Sequence, residues 1–519
     1  MRCAVSAAFG QAHEELTIIS GGEFLTMRQP RLLTIGVLAL LLFPGAGRSQ
    51  SFEDMSRLLH PLLLDISSDG STLWYRVGQD AQLRDGVWEI RIGSDTAPHL
   101  STHTAPKTEP PPAIPGNPNA SNIVRSPDGK KVAWLDFDKD ELAGPRYLYC
   151  SCGQRAQGDK PRPISRKPMV AFQWAEASDS FWVMAMDGPD EPVGLLHEDG
   201  RFEQASKGPA LRRRGGFLAA GGAVAWVESD GSHYGRIWTR DRAGRVRMRV
   251  DLNPQVSKWN LGTQEVMRWR NAAGEELHGV LVRPKGKRLP LIVDPYSSGR
   301  NGFLNIRLMG NYLFVQEGFA VFLPNHRAAH TLPAAAFGAD YVGTAASRDP
   351  IDVLVDDVMS GVNELVRQGI ADPDRMFLYG YSNGSTSVDQ LLTETHMFRA
   401  AASASGVADW LVWYRERPTA RDLVASFLGG HRPEDSPDLY RRVSPFYTAN
   451  KITTPLLLAV GDKDTRLADV TRFYEALRSA GANVTLITYP GDAHELSREH
   501  TADYFQKSLD FFRAAMKSN

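Results

Sequence analysis

Cysteine is scarce in this chain of 519 residues: there are three. Cys3 lies near the start, and Cys150 and Cys152 are separated by Ser151 alone. A bridge across so short a span is strained, and two thiols by themselves make a poor metal site. Neither a disulfide framework nor a metal centre is therefore expected, and no motif calls for a cofactor. An excess of either charge is lacking as well. Lys and Arg total 59 against 60 for Asp and Glu, a formal net charge of −1. With no basic stripe, nucleic acid is excluded as the expected partner. Apolar runs long enough to span a bilayer, ~20 residues, are missing too. What remains is an ordinary hydrophobic fraction of 42%, enough for a large domain to build its own core.

The most apolar segment has the anatomy of an export signal. Met27-Arg28-Gln29-Pro30-Arg31 is basic, Leu32 to Phe43 is almost wholly apolar, and Pro44-Gly45-Ala46-Gly47-Arg48-Ser49 supplies small residues for cleavage. The expected start of translation is Met27, and the expected location is periplasmic or secreted, with a membrane anchor if the signal stays uncleaved. Residues 1–50 are accordingly set apart from the folded protein, and the mature form should have no stable membrane span.

Residues 51–254 read as short strands joined by tight turns. Asp69-Gly70, Asp128-Gly129, Asp199-Gly200 and Asp230-Gly231 lie beside aromatic strands such as Thr72–Tyr75, Lys131–Trp134, Phe181–Val183 and Val224–Val227. Asp-Gly beside such strands is a hairpin signal. The turns at Gly70 and Gly129, the polar break at Ser178-Asp179 and the turn at Gly231 recur every ~50–60 residues, near the period of propeller blades, and about four units fit. Ala105–Asn119 and Gly153–Lys167 read as loops.

From 255 to 519 the texture changes to apolar strands alternating with amphipathic helices. The strands are Leu289–Asp294, Ala320–Leu323, Met376–Gly380, Ala400–Ala404, Pro455–Val460 and Val484–Tyr489. This alternation predicts an α/β fold with a largely parallel sheet. Strand Met376–Gly380 runs into Gly380-Tyr381-Ser382-Asn383-Gly384 and then a helix. A G-x-S-x-G pattern between strand and helix is a nucleophile elbow, which holds its serine in a sharp turn. A serine nucleophile needs a base, and the base needs an orienting acid. The α/β-hydrolase order is serine, acid, histidine. The next strand ends in Gly461-Asp462-Lys463-Asp464 and the last in Pro490-Gly491-Asp492-Ala493-His494. His494 is preferred over His500, which falls in a helical stretch. His326, His330, His396 and His431 break the order. For the acid, Asp464, Asp462 and, more weakly, Asp469 stay open. Trp410, Trp413 and Tyr414 follow strand Ala400–Ala404 and are candidates for a substrate pocket.

The second half, ~255–519, resembles the catalytic domain of the prolyl oligopeptidase family, α/β-hydrolases with an N-terminal β-propeller. The likeness rests on Glu265–Trp269 leading into Gly274–Gly279, on Gly318–Arg327, on Gly369–Arg375 before the elbow, and on Gly461-Asp462-Lys463-Asp464-Thr465-Arg466-Leu467. It implies Asp464 as the acid. Pro290–Tyr296 is similar to the strand whose tyrosine points into the oxyanion hole, which implies Tyr296 as one oxyanion donor and the Asn383 backbone N–H as the other. Several features depart from the family. Ser297 and Ser298 stand where glycines are usual, Ser385 replaces the second glycine after the elbow, and the β region is short. No match exists for the paired glutamates of dipeptidyl peptidases.

The expected protein is an exported serine peptidase that cleaves short or unusual peptides through Ser382, Asp464 and His494. Alternative readings are a lasso-peptide isopeptidase-like amide hydrolase, an esterase, and a non-catalytic propeller binding protein. If the signal reading holds, amino-terminal sequencing of exported material should find a start between Gly47 and Phe52. Soluble protein retaining residues 1–46 would overturn it.

Overall fold

The computed structural model describes residues 51–79, 82–104, 120–137, 146–152, 162–208, 210–296, 309–327, 348–426, 428 and 430–517. The signal segment, Ser297, Ser298, His330 and the loop 105–119 lie outside the described residues, as does most of the loop 153–167.

The first half forms four antiparallel sheets, each from one continuous stretch of chain. The first holds β1 (Leu59–Ile66), β2 (Thr72–Gln79), β3 (Gln82–Leu83), β4 (Val87–Arg91) and β5 (His99–Ser101). The second holds β6 (Ser121–Arg125), β7 (Val132–Phe137) and β8 (Arg146–Cys150). The third holds β9 (Met169–Trp174), β10 (Ser180–Ala185), β11 (Val193–His197) and β12 (Phe202–Gln204). The fourth holds β13 (Leu211–Ala220), β14 (Ala223–Ser229), β15 (Arg236–Arg240) and β16 (Val246–Asp251). This is a four-bladed, propeller-like arrangement, as the turn spacing predicts.

Neighbouring sheets share apolar cores, because antiparallel sheets of this size cannot each bury a face alone. Leu148 and Cys150 of the second pack with Phe172, Phe181 and Val183 of the third. Trp182 and Met184 of the third pack with Val224 and Trp226 of the fourth. Leu63, Leu73, Tyr75 and Ile90 of the first pack with Ala225, Val227 and Ile237 of the fourth. At this last seam two turns meet backbone to backbone. A Cβ on Gly70 would lie 2.7 Å from the Ala220 carbonyl oxygen, and one on Gly221 would lie 2.3 Å from the Asp69 carbonyl carbon. Both glycines hold positive φ, +69° and +53°, so each is required by conformation and by space.

Short as the span is, Cys150 and Cys152 are bridged, with a Cα–Cα distance of 5.0 Å. That separation lies inside the usual disulfide range of ~4.4–6.8 Å, so the extended backbone after β8 accommodates the link. Among the described residues, Glu198 is the acidic side chain that joins this pair within 4.8 Å.

The second half is an α/β-hydrolase fold on an eight-stranded sheet. β17 (Thr263–Arg270) and β18 (Glu276–Arg283) form an entry hairpin. β19 (Leu289–Val293), β20 (Ala320–Pro324), β21 (Ala371–Tyr381), β22 (Ala400–Ala404), β23 (Leu456–Gly461) and β24 (Val484–Tyr489) complete it. The order is β17-β18-β20-β19-β21-β22-β23-β24, parallel from β20 onward. The chain goes outward from β19 to β20 and then returns to β21 on the other side. That reversal puts a topological switch point between the carboxyl ends of β19 and β21, where open α/β sheets place their ligands.

Alternate side chains feed two cores. Leu291, Val293, Leu378 and Leu458 face one side of the sheet, against helix Pro350–Arg367. Ile292, Val321, Phe377 and Leu457 face the other, against helices Met309–Gln316 and Arg498–Lys517. Within Pro350–Arg367, Ile351, Leu354, Val358, Met359, Val362 and Leu365 are buried, and Val355 and Val366 are partly buried beside them. The first described helix, Phe52–Ser56, also packs on this second side: Met55 and Leu58 join its core, and the Phe52 ring meets Phe505 edge-on at 5.3 Å. The stretch before β1 is thus anchored to the hydrolase sheet.

The seam between the first and fourth sheets offers a stability test. Gly221→Ala should destabilise the protein by roughly 1–3 kcal/mol, as overpacking does, seen as a lower urea midpoint. No shift would show that the two turns do not meet.

Candidate active site

Strand β21 ends at Tyr381, and Ser382 is the N-cap of helix Asn383–Leu392 with φ 55° and ψ −122°. A non-glycine residue in that region is strained and persists because its surroundings over-determine it. The Ser382 N–H donates to the Ala404 carbonyl of β22 at 2.8 Å. A Cβ on Gly380 would sit 2.5 Å from Gly384 backbone atoms, so the turn closes because neither flank carries a side chain.

The helix that follows is unusually polar for a buried one. Ser385, Thr386, Ser387, Asp389 and Gln390 are all buried. Ser385, in the position of the family's second glycine, hydrogen-bonds the Ser403 hydroxyl. Its space comes from Gly406, where a Cβ would lie 2.5 Å from Ser385 Oγ. Thr386 Oγ1 accepts the Val407 N–H at 2.9 Å, and Gln390 donates to the Val443 carbonyl at 2.6 Å. Burial pushes the Asp389 carboxyl up to about 8. Of this polar set, Ser385 alone stands out in the sequence, as a departure from the family's glycine.

The three residues expected to work together are brought together. His494 Nε2 lies 3.0 Å from Ser382 Oγ, and His494 Nδ1 lies 3.1 Å from Asp464 Oδ2. The Asp464 side chain is fully buried and the His494 side chain 32% exposed. Burial alone would raise the Asp464 carboxyl. Hydrogen bonds from His494 and the Arg466 N–H, with the Arg466 charge, outweigh it and hold the carboxyl down at about 2. Arg466 is a participant that sequence reasoning passed over. Its Nη1 lies 3.3 Å from Asp464 Oδ1 and 2.9 Å from His494 Nδ1. Nδ1 can donate to the carboxylate or accept from the guanidinium, not both at once. When Nε2 accepts from Ser382, Nδ1 carries the hydrogen and donates a hydrogen bond to Asp464 Oδ2.

The rival acids have other partners. Asp462 is exposed and accepts the Gly491 N–H at 2.8 Å, tying the acid loop to the histidine loop. The Lys463 N–H makes a second tie to the Asp492 carbonyl at 2.8 Å. Asp469 accepts the Ala408 N–H at 2.7 Å and pairs with Arg472 at 3.1 Å. Burial pushes its carboxyl up to about 6, against the pull of those bonds. Among the histidines, His500 Nδ1 pairs with Asp492 at 2.7 Å, and buried His326 meets the Pro295 carbonyl at 3.1 Å. His396 contacts Thr453 and His431 contacts Ser436.

Tyr296, just past β19, lies against the elbow. A Cβ on Gly384 would meet its Cβ and Cδ2 at 3.1 Å. Its N–H donates to Asp294 Oδ1 at 3.1 Å. Asn383 opens the helix, so its N–H belongs to the first turn, which lacks intrahelical acceptors. The three aromatic pocket candidates separate. Trp410 and Tyr414 are 1% and 2% exposed and fill a small core with Val424, Leu428 and Tyr440, so they are packing residues rather than lining. On their helix, Trp410–Glu416, both point inward from one face. Trp413, one turn on from Trp410, sits at the rim of the same core: it is half-buried, with the Arg417 guanidinium 3.1 Å and that of Arg466 4.7 Å from its ring centre.

Residues 307–519 match the family described as the prolyl oligopeptidase family. The lasso peptide isopeptidase AtxE2 of Asticcacaulis excentricus is 28% identical over 289 residues, 52% of this chain and 40% of that protein. The acylamino-acid-releasing enzyme of Homo sapiens is 23% identical over 270 residues, 47% of this chain and 35% of that protein. The matches thus take in well under half of those relatives' own length. Among solved structures, the Pyrococcus horikoshii acylaminoacyl peptidase aligns with a TM-score of 0.63 at 18% identity, covering 87% of this chain and 70% of that one. The AtxE2 isopeptidase aligns with a TM-score of 0.56 at 16% identity, covering 90% of this chain and 95% of that one. These structural likenesses concern the fold.

The two loop aspartates can be separated by hydrolysis rates. Asp464→Asn should lower the maximal rate by roughly 10⁴-fold, as loss of the correct tautomer does elsewhere. Asp462→Asn keeps an acceptor for Gly491 and should lower it by less than about tenfold. Equal losses, or the reverse order, would reassign the acid.

Proposed function

We propose that this chain, whose residues 307–519 match the prolyl oligopeptidase family, is an exported serine peptidase with Ser382 as nucleophile, His494 as base and Asp464 as acid. The observation that carries the reading is the Ser382–His494–Asp464 chain of contacts at 3.0 and 3.1 Å. Ser382 Oγ attacks the scissile carbonyl while His494 Nε2 takes its proton. The imidazolium then faces a carboxylate that is already ionised, so its charge is stabilised without a second proton transfer. Tyr296 and the Asn383 N–H are the oxyanion donors in this reading, and each is worth ~2.7–4 kcal/mol in comparable sites. His494 returns the proton to the leaving amine, and water hydrolyses the acyl-enzyme by the same route. The substrate is a peptide, and Trp413 lines its approach beside Arg466.

A second reading has its own support. The relative matched over 52% of this chain is a lasso peptide isopeptidase, which favours a compact peptide opened at an isopeptide bond. The same serine chemistry serves both readings, since an isopeptide is an amide. What differs is the shape admitted between the propeller-like sheets and the hydrolase sheet.

A fluorophosphonate probe should label the wild-type protein and not Ser382→Ala, with thermal unfolding unchanged between them. Equal labelling would remove Ser382 as the nucleophile, and a wild type that does not label would leave a binding protein. A digest of linear, threaded and denatured-protein substrates, read by mass spectrometry, then separates the two peptidase readings. Cleavage of the threaded peptide alone would favour the second.

A further inference from the structure

Tyr381 is the variable position in Gly380-x-Ser382-x-Gly384, and the pattern itself asks nothing of it. In the fold it stands at the end of β21 with its ring centre 5.8 Å from that of His494. Its hydroxyl donates to the His494 backbone carbonyl and accepts the Leu496 N–H at 3.3 Å. One side chain therefore holds the main chain at His494 and again two residues on. Asp464 and Arg466 meet the imidazole, but the other ties described for the loop's main chain lie at its ends: Gly491 on Asp462, Asp492 on the Lys463 N–H, and the Ser497 N–H on Asp492 at 2.9 Å. None of these holds the main chain at His494. Burial pushes the Tyr381 phenol up to about 12, so it keeps its hydrogen throughout the neutral range.

We infer that Tyr381 is a positioning residue that fixes the reach of His494 to Ser382 by tying the histidine loop to the strand that ends at the nucleophile. The inference rests on the proposed pairing of Ser382 with His494. The physical reason is leverage. The imidazole hangs on a loop after β24, whereas Ser382 sits at the end of β21, and β22 and β23 separate those two strands in the sheet. Small independent shifts of two such elements would open a 3.0 Å contact, and misplacement by ~1 Å can cost ~100-fold in rate. A bond from the residue next to the serine to the backbone of the histidine makes the two move together.

The test is Tyr381→Phe, which keeps the ring and removes the hydroxyl. With a fluorophosphonate, the limiting inactivation rate should fall by roughly tenfold or more, with the half-saturating probe concentration and the thermal midpoint unchanged. In a His494→Ala background the same substitution should change the residual rate by less than about twofold, since a positioning effect acts through the imidazole. p-Aminophenylalanine at 381 restores a donor and should recover most of the rate. An equal loss in both backgrounds would overturn the inference. So would a weaker half-saturation with an unchanged limiting rate, or no recovery with the amino analogue. Labelling that survives Ser382→Ala would instead strike the proposed nucleophile and leave the Tyr381 contacts to be judged apart.

Discussion

The site depends on one backbone constraint, the closure of the turn around Ser382. Gly380 and Gly384 approach so closely that a Cβ on the first would collide with the backbone of the second. Between them Ser382 holds φ 55°, with its hydroxyl 3.0 Å from His494 Nε2. The surrounding features are then placed relative to this turn. Tyr296 lies against Gly384, Ser385 is paired with Ser403 in the space left by Gly406, and the Ser382 N–H is fixed on Ala404. The strain of such a conformation, ~1–3 kcal/mol, is offset by the surrounding bonds.

Around this turn, four aspartates of identical chemistry take different states. Asp464 is buried yet ionised, because His494, an N–H and a guanidinium all favour its charge. Asp469 and Asp389 are buried with less compensation, and their carboxyls rise to about 6 and about 8. Asp462 stays at the surface and serves as a backbone acceptor. What separates them is the supply of donors and cations within hydrogen-bonding reach, since burial alone pushes every carboxyl upward. The His494 hydrogen bond does most to hold Asp464 down; Arg466 adds an N–H and a charge, and also links the acid to Trp413.

The propeller-like half relies on a different kind of closure. Each sheet is built from one stretch of chain, so the contact between the first and fourth is made by packing and by the Gly70–Gly221 turns. No shared strand joins those two sheets among the described residues. Such a closure depends on side-chain fit across the seam.

The local features were legible in the sequence because they depend on neighbours in the chain. Asp-Gly turns beside aromatic strands mark four sheets, apolar strands alternating with helices mark the hydrolase sheet, and Gly380–Gly384 marks the elbow, since its geometry is set within five residues. The serine–acid–histidine order likewise follows the order of strands. Other assignments needed the fold. Asp462 and Asp464 differ by two positions in one loop, and only the packing of that loop against Gly491 and His494 gives them separate partners. Trp410, Trp413 and Tyr414 share a short helix, and which of them is core depends on what the helix meets. Arg466 and Tyr381 carry no signal of their own in the chain. Their roles come from contacts across 28 and 113 residues of sequence separation, which tertiary packing alone creates.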